Sequence, residues 1–363
     1  MKNVVVFFGG KSVEHDISVI TGALTCNILK DEFNVYPVYV DKKNGFYTGE
    51  ILFDIDEYVK LDYKKLKRVT FLNDNGLYEI RKNKIKRIAD IYCAVNCSHG
   101  GNGESGALSG VMEYTEIPFV SPSVLPSAVS MDKEITKIAL KGMGIKTLPY
   151  VATENLYDLE KKTARLGYPM IVKPACSGSS IGIAKANDKE ELIRAVLDAL
   201  KYGKRAVIEK CLQDFAEINC AAYKDGKGAI VVSECERPFG KDEVLTFGDK
   251  YEKGTREFPA NIPEPVAVKI KETTAKVYAA LKFKGVIRID YMVKGEAVYL
   301  NEINSVPGSL SYYLFVNAPK EYLAALKEVM AYAVKEYNCS TTYIKDFSTS
   351  LLKITGAKGY KKS

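Results

Sequence analysis

Two short polar triplets near the C-terminal end carry the residue types that metal-assisted phosphate chemistry requires: Arg288-Ile289-Asp290 and Glu302-Ile303-Asn304. Each follows a strand-like apolar run, Val286-Ile287 before the first and Val298-Tyr299-Leu300 before the second. Alternate residues of a strand share a face, so Arg288 points with Asp290 and Glu302 with Asn304. Lys294-Gly295-Glu296 between the runs reads as a hairpin loop. A three-residue loop sets Arg288 opposite Glu302 with all four polar side chains on one face. A two-residue loop shifts the register and separates them. Asp290, Glu302 and Asn304 offer only oxygen ligands, a set suited to Mg²⁺, or Mn²⁺ in its place, beside a phosphate. Arg288 adds a planar fork for an anionic oxygen. A surface hairpin with its charges in water would read the same over this stretch alone.

Phosphate chemistry also needs a cradle. Gly178-Ser179-Ser180-Ile181-Gly182 offers backbone N–H groups and two hydroxyls to an anion, with glycine allowing close approach. It lacks the Lys-Ser/Thr of a Walker loop and the spacing of a dinucleotide fingerprint, so by itself it reads more readily as a mere turn. Lys173, at the end of the strand upstream, is within reach of a phosphate oxygen. The triplets lie over a hundred residues further on, so a site using both closes between two domains. Near the N-terminus, Glu14 follows the glycine turn Gly9-Gly10 at the start of a helix. An acid there either binds a ligand or simply complements the helix dipole.

The chain around these residues has 363 of them, enough for two or three domains. With 47% apolar and 27% charged residues it has the composition of a globular protein. No apolar run is long enough for a membrane span, and the N-terminus enters a buried strand rather than a signal peptide, which fits a cytoplasmic enzyme. The eight cysteines form no CxxC pair and there are two histidines, which argues against zinc and for reduced thiols. Cys176, in the glycine loop, reads as a space-filling residue or a mildly reactive thiol. The net charge of +7 lies in solvated lysine-rich stretches without interleaved aromatics, so it points away from nucleic acid and towards a polyanionic substrate such as ATP.

The order of elements reads as α/β. Strands are expected at 4–8, 35–40, 91–95 and 118–120, with a helix over 17–29, giving an open α/β domain whose glycine loops follow strand ends. The stretch between 41 and 87 reads as an irregular, lysine-rich elaboration. Ser121-Pro122-Ser123 reads as a boundary, followed by a helix over 132–141 and a strand over 170–174. Residues 207–210 read as a strand acting as a linker. Strands near 217–223 and 229–233, a helix over 266–281 and helices over 320–336 complete the chain. The loop over 236–262 is too long for a passive connector and reads as a lid or binding loop.

Taken together, FGGKSVEHDIS, SHGGNGESG, MDKEITK, IVKPACSGSSIG, VIEKCL, DKYEKG, RID and NEINSVPG, in that order, resemble the D-alanine–D-alanine ligases of the ATP-grasp superfamily. The resemblance covers residues 4 to 314. It implies a three-domain ATP-grasp fold: an N-terminal α/β domain over 1–121, a central subdomain over 122–208 and a C-terminal one over 209–363. It implies that Lys133 and Lys173 meet ATP phosphates and that Glu209, Lys210 and Leu212 lie along the adenine. Glu217 is implied at the ribose, although this segment is one residue longer than the family pattern. Asp290, Glu302 and Asn304 become Mg²⁺ ligands. Glu14 holds the first substrate's ammonium in a triad with Ser179 and Tyr251, while Lys250 stands beside the tyrosine. Arg288 and the Gly308 N–H stabilise the tetrahedral oxyanion, and His99 lies near the first amino acid. Homodimers are the implied assembly. The implied reaction phosphorylates one D-alanine to an acylphosphate, which the amine of a second attacks, under a loop that excludes water.

One position departs from the pattern. Five residues beyond Gly308 the family has a serine for the second substrate's carboxylate; here it is Tyr313, followed by Leu314. Either the acceptor is still D-alanine, or a paralogous ligase takes another, such as D-serine. Tyr251 argues against a hydroxy acid, since depsipeptide-forming relatives carry histidine there. A non-catalytic nucleotide-binding protein is the remaining alternative, and the joint presence of Lys173, Arg288, Asp290, Glu302 and Asn304 argues against it.

Overall fold

The apolar run at the N-terminus is buried on both faces, as a central parallel strand requires. In the computed structural model, which describes residues 1–239, 255–344 and 346–348, strand Asn3–Gly9 pairs in parallel with Asn34–Val40 on one side and Cys93–Asn96 on the other. Val4, Val6 and Phe8 enter one core, Val5 and Phe7 the opposite one. The chain therefore leaves this central strand in one direction first and later continues on its other side. Ligands of open α/β sheets bind at that kind of switch point, beyond the strand ends. Gly9 turns the chain there at φ +90, where a side chain would strike the Val40 carbonyl.

The same sheet continues as a meander through Phe46–Thr48, Lys67–Leu72, Gly76–Arg81 and Lys84–Asp90, and with Phe119–Val120 beside Cys93–Asn96 it has eight strands. The expectation of an irregular 41–87 elaboration is corrected: its later part is an ordered antiparallel extension. Alternation there is carried by few apolar residues, such as Val69, Phe71 and Leu77, which are buried. The lysines that hid the pattern lie on the outer strand Lys84–Asp90, where charge protects an open edge.

A second, four-stranded antiparallel sheet comprises Ala184–Ala186, Met170–Pro174, Ala206–Lys210 and Tyr150–Thr153. The residues expected to act as a linker at 207–210 are an interior strand of this sheet, held by pairing on both sides. The third sheet comprises Ile230–Val232, Ala216–Lys224, Ile287–Lys294 and Ala297–Asn304. Helix Glu264–Ala280 covers it, with Val266, Ile270 and Val277 buried. The C-terminal helix Leu323–Ser340 instead returns to the first sheet, placing Leu326, Val329 and Met330 in the core of Val4, Val6 and Phe8.

The hairpin Ile287–Lys294/Ala297–Asn304 corrects the expected register. Its turn has two residues, Gly295 and Glu296, since Lys294 pairs with Ala297. An unbroken ladder would then face Asp290 with Asn301. A bulge intervenes: Tyr291 pairs with Leu300, but Asp290 pairs with Glu302 and Arg288 with Asn304. A bulge sets two residues against one, so Leu300 and Ile303 both stay buried while Glu302 and Asn304 keep the polar face.

Candidate active site

Between the second and third sheets lies a cavity lined by Lys133, Lys173, Ser180, Glu209, Lys210, Leu212 and Glu217. Leu148, Ile171, Phe215 and Met292 give it apolar walls. The apolar walls suit a flat aromatic ring and the lysines an anion. Glu209 is almost fully buried between two ammonium groups, Lys137 at 2.7 Å and Lys173 at 2.8 Å. Burial pushes its pKa up, but Lys173 and Lys137 more than offset that and hold it below the usual carboxylate range. Lys173 also donates to Asn301 Oδ1 at 3.2 Å. Lys133 opens helix Lys133–Gly142, whose N-cap Asp132 accepts from two backbone N–H groups. Its Nζ donates to the Ser177 carbonyl at the rim of the glycine loop. Burial depresses the Lys133 and Lys137 ammonium pKa values, with Glu302 partly opposing at Lys133 and Glu209 at Lys137. Phosphate oxygens entering here would relieve crowded positive charge.

A second cavity is lined by Glu14, Glu104, Ser179, Arg288, Glu302 and Asn304. Lys133, Ser177, Gly178, Asn301 and Glu302 line both cavities. Glu14 precedes helix His15–Leu29 but does not cap it. Its carboxylate instead accepts from the Ser179 hydroxyl at 2.5 Å, across 165 residues of sequence. Gly178 lets the loop come this close, since a side chain there would collide with that carboxylate. Glu104 accepts from the backbone N–H of Gly100 and of Val306, at 2.9 and 3.0 Å, and from the Ser305 hydroxyl. Burial, then the charge of Glu14, raises its pKa to about 7.

Arg288 forks onto Asp290, with Nε and Nη2 donating to the two carboxylate oxygens at 2.7 and 2.9 Å. Asn304 Nδ2 donates to the same carboxylate at 3.0 Å. Among the described residues no cluster of three His, Cys, Asp or Glu is placed to hold a metal. The donor set is therefore two carboxylates and an amide. Asp290 and Glu302 face each other across the ladder; Arg288 offsets the charge of Asp290, and a bound cation would offset the repulsion between the two carboxylates further. Hard oxygen donors and this charge balance fit Mg²⁺.

Arg288 Nη1 also donates to the Tyr313 hydroxyl at 3.2 Å. Burial raises the Tyr313 pKa, so its phenol is neutral. The guanidinium of Arg256 lies 5.0 Å from the Tyr313 ring and donates to the Tyr313 carbonyl at 3.1 Å. Leu314 is buried at 1% exposure. Lys250 and Tyr251 lie outside the described residues, as do 240–254 of the expected binding loop.

His99 is more engaged than a bystander to substrate. Its Nδ1 lies 2.6 Å from the Val306 carbonyl and its Nε2 2.8 Å from Thr21 Oγ1. Both ring nitrogens are thus taken by the protein, and burial holds the imidazole pKa down at about 4. Gly308 opens a turn over Gly308–Leu314 in which Ser309, Leu310 and Ser311 have φ of 51, 48 and 52. Left-handed backbone costs a residue with a Cβ about 1–2 kcal/mol, so this turn persists only where its surroundings hold it.

Lys137, Glu104 and Asn301 were not anticipated as site residues. Lys137 was within reach, since it lies one helical turn beyond Lys133 on the same face. Glu104 lies inside SHGGNGESG, but nothing local distinguishes it from a surface acid. Asn301 enters through the bulge, whose trace is the odd spacing of Leu300 and Ile303.

Two family models match the chain: the "D-ala D-ala ligase N-terminus" over residues 3–122 and the "D-ala D-ala ligase C-terminus" over 139–334. A D-alanine–D-alanine ligase of Thermosipho melanesiensis is 33% identical, the alignment covering 99% of this chain and 100% of that protein. One from Helicobacter pylori J99 is 36% identical over 85% of this chain and 89% of its own length. The crystal structure of a D-alanine–D-alanine ligase from Helicobacter pylori superposes with a TM-score of 0.74 at 31% identity, covering 92% of this chain and 98% of that one.

Proposed function

Since the chain belongs to the D-alanine–D-alanine ligase family, we propose that its two joined cavities convert two D-alanines and ATP into D-alanyl-D-alanine and ADP, supplying a peptidoglycan precursor. The observation that carries this reading is the shared wall. A nucleotide-shaped slot and an acidic chamber meet at Lys133, Gly178, Asn301 and Glu302, as transfer of a phosphoryl group to an amino acid's carboxylate demands.

Lys133 and Lys173 orient the phosphates, while Leu148, Ile171 and Met292 enclose the base beside Lys210 and Leu212. Glu217 is the acid at the ribose. Asp290, Glu302 and Asn304 would hold Mg²⁺, which when bound neutralises charge on the phosphate oxygens. Glu14, positioned by Ser179, receives the first amino acid's ammonium, and Glu104 adds a second carboxyl to that wall. Arg288, near 3 Å from both Asp290 and Tyr313, and the Gly308 N–H stabilise the oxyanion formed when the second amine attacks the activated carbonyl. Tyr313 stands beside Arg288 as the acceptor's hydrogen-bond donor. The reaction belongs in the cytoplasm, where ATP is available, and a homodimer is the proposed assembly.

The test is ADP release from ATP and D-alanine by the parent protein and by Glu302→Gln. The parent is expected to turn over, and the variant to lose at least a hundredfold in kcat while keeping its fold by circular dichroism. Near-parental turnover by Glu302→Gln would remove Glu302 from the reacting centre.

A further inference from the structure

The left-handed turn after Gly308 is held from outside by a closed ring of hydrogen bonds. A carbonyl oxygen only accepts, so His99 Nδ1 carries the hydrogen shared with Val306 O at 2.6 Å. In the neutral imidazole Nε2 is then an acceptor, and the Thr21 hydroxyl donates to it at 2.8 Å. The Thr21 oxygen retains a lone pair, and the Ser309 N–H donates to it at 2.9 Å. Ser309 and Val306 bracket Gly308, so the ring closes around the residue that carries the oxyanion N–H. Thr21 and His99 are both buried, at 0% and 3% exposure, and neither lines the two cavities. A second observation is independent of the ring. Ser309, Leu310 and Ser311 all hold left-handed backbone angles, which nothing within three non-glycine residues favours. The Tyr322 hydroxyl pins the Leu310 carbonyl at 2.9 Å further along the same turn.

We propose that Thr21, acting through His99 and Ser309, is a positioning residue for the Gly308 N–H, so that the first helix of the N-terminal sheet sets the oxyanion site of the C-terminal one. This rests on the reading of Gly308 given under the proposed function. The ring is tied to the first substrate's acid as well, since Thr21 lies about two turns into the helix that Glu14 precedes. A displaced Gly308 N–H would weaken stabilisation of the transition state and leave the nucleotide slot untouched.

The test compares Thr21→Val, which keeps the shape and removes both hydrogen bonds, with Thr21→Ser, which keeps the hydroxyl. Thr21→Val is expected to lower kcat for dipeptide formation about a hundredfold with KM for ATP unchanged. Thr21→Ser is expected to restore kcat to within severalfold. Hydrogen exchange at the Ser309 amide, followed in ¹⁵N-serine-labelled protein, is expected to quicken in Thr21→Val and not in Thr21→Ser. Unchanged kcat in Thr21→Val, an equal loss in Thr21→Ser, or unchanged Ser309 exchange would each overturn the proposal. A parent protein that makes no dipeptide would instead sink the functional reading, and Ser309 exchange would still decide whether the ring holds the turn.

Discussion

At Glu104 two effects push the same way. The carboxyl is buried and faces Glu14, so its pKa rises to about 7. Below that pH the Glu104 carboxyl is protonated. An ammonium arriving at this wall favours both carboxylates charged, so binding releases a proton and tightens as pH rises. The KM for D-alanine at the first subsite is therefore expected to fall as pH rises through about 7, by up to roughly tenfold per unit, and Glu104→Gln is expected to flatten the profile. An equally steep profile in the variant would assign the titration elsewhere. His99 works in the opposite sense. Its folded-state pKa is down at about 4, whereas the unfolded chain takes up that proton near 6.5. The unfolded state therefore binds more protons between those values, and stability is lost as pH falls from about 6.5 to 4. The loss attributable to this one group is about 3 kcal/mol, and His99→Gln is expected to shallow the acid limb of a urea-midpoint profile. In sequence, Glu14, Ser179 and Arg288 could be read because their motifs are complete within a few residues. The engagement of His99 by Thr21 and Val306 could not, because those partners lie 78 and 207 residues away.

Among elements, the bulged hairpin decides most. A two-residue turn with an unbroken ladder would send Leu300 and Ile303 to opposite faces. The bulge keeps both in the core and leaves Asn301 and Glu302 both lining the cavities. Asn301 gains a contact with Lys173 as a result. Asn301→Ala is expected to raise KM for ATP about fivefold, roughly the worth of one hydrogen bond, with little change in stability; unchanged KM would mean that Lys173 needs no orientation from this strand. Face-sharing within each triplet was legible from the period of two. Pairing across the hairpin was not, because turn length and bulge compensate and only their sum fixes the register. Strand Ala206–Lys210 shows the same limit. Its apolar run was plain, but that it lies inside a sheet depends on partners at Tyr150–Thr153 and Met170–Pro174.

Over the whole molecule, the chain's last described helix closes its first sheet. Leu326 is fully buried against residues of the opening strand and helix, so Leu326→Ala is expected to cost about 2–5 kcal/mol. The loss should appear in the unfolding of the N-terminal sheet, monitored by near-ultraviolet dichroism of its tyrosines, and a loss below about 1 kcal/mol would show that helix to be dispensable. This return of the chain, with the Thr21 ring and the Glu14–Ser179 contact, makes the amino-acid chamber a joint product of all three sheets. The central claim is that this chamber and the nucleotide slot make one dipeptide. The measurement that addresses it most directly is mass spectrometry of the products formed from Mg²⁺-ATP with D-alanine alone, and with D-alanine plus D-serine or other amines. The account predicts D-alanyl-D-alanine, in step with ADP, from D-alanine alone. Product only with a different second amine, or none with any pair despite ATP binding, would contradict it.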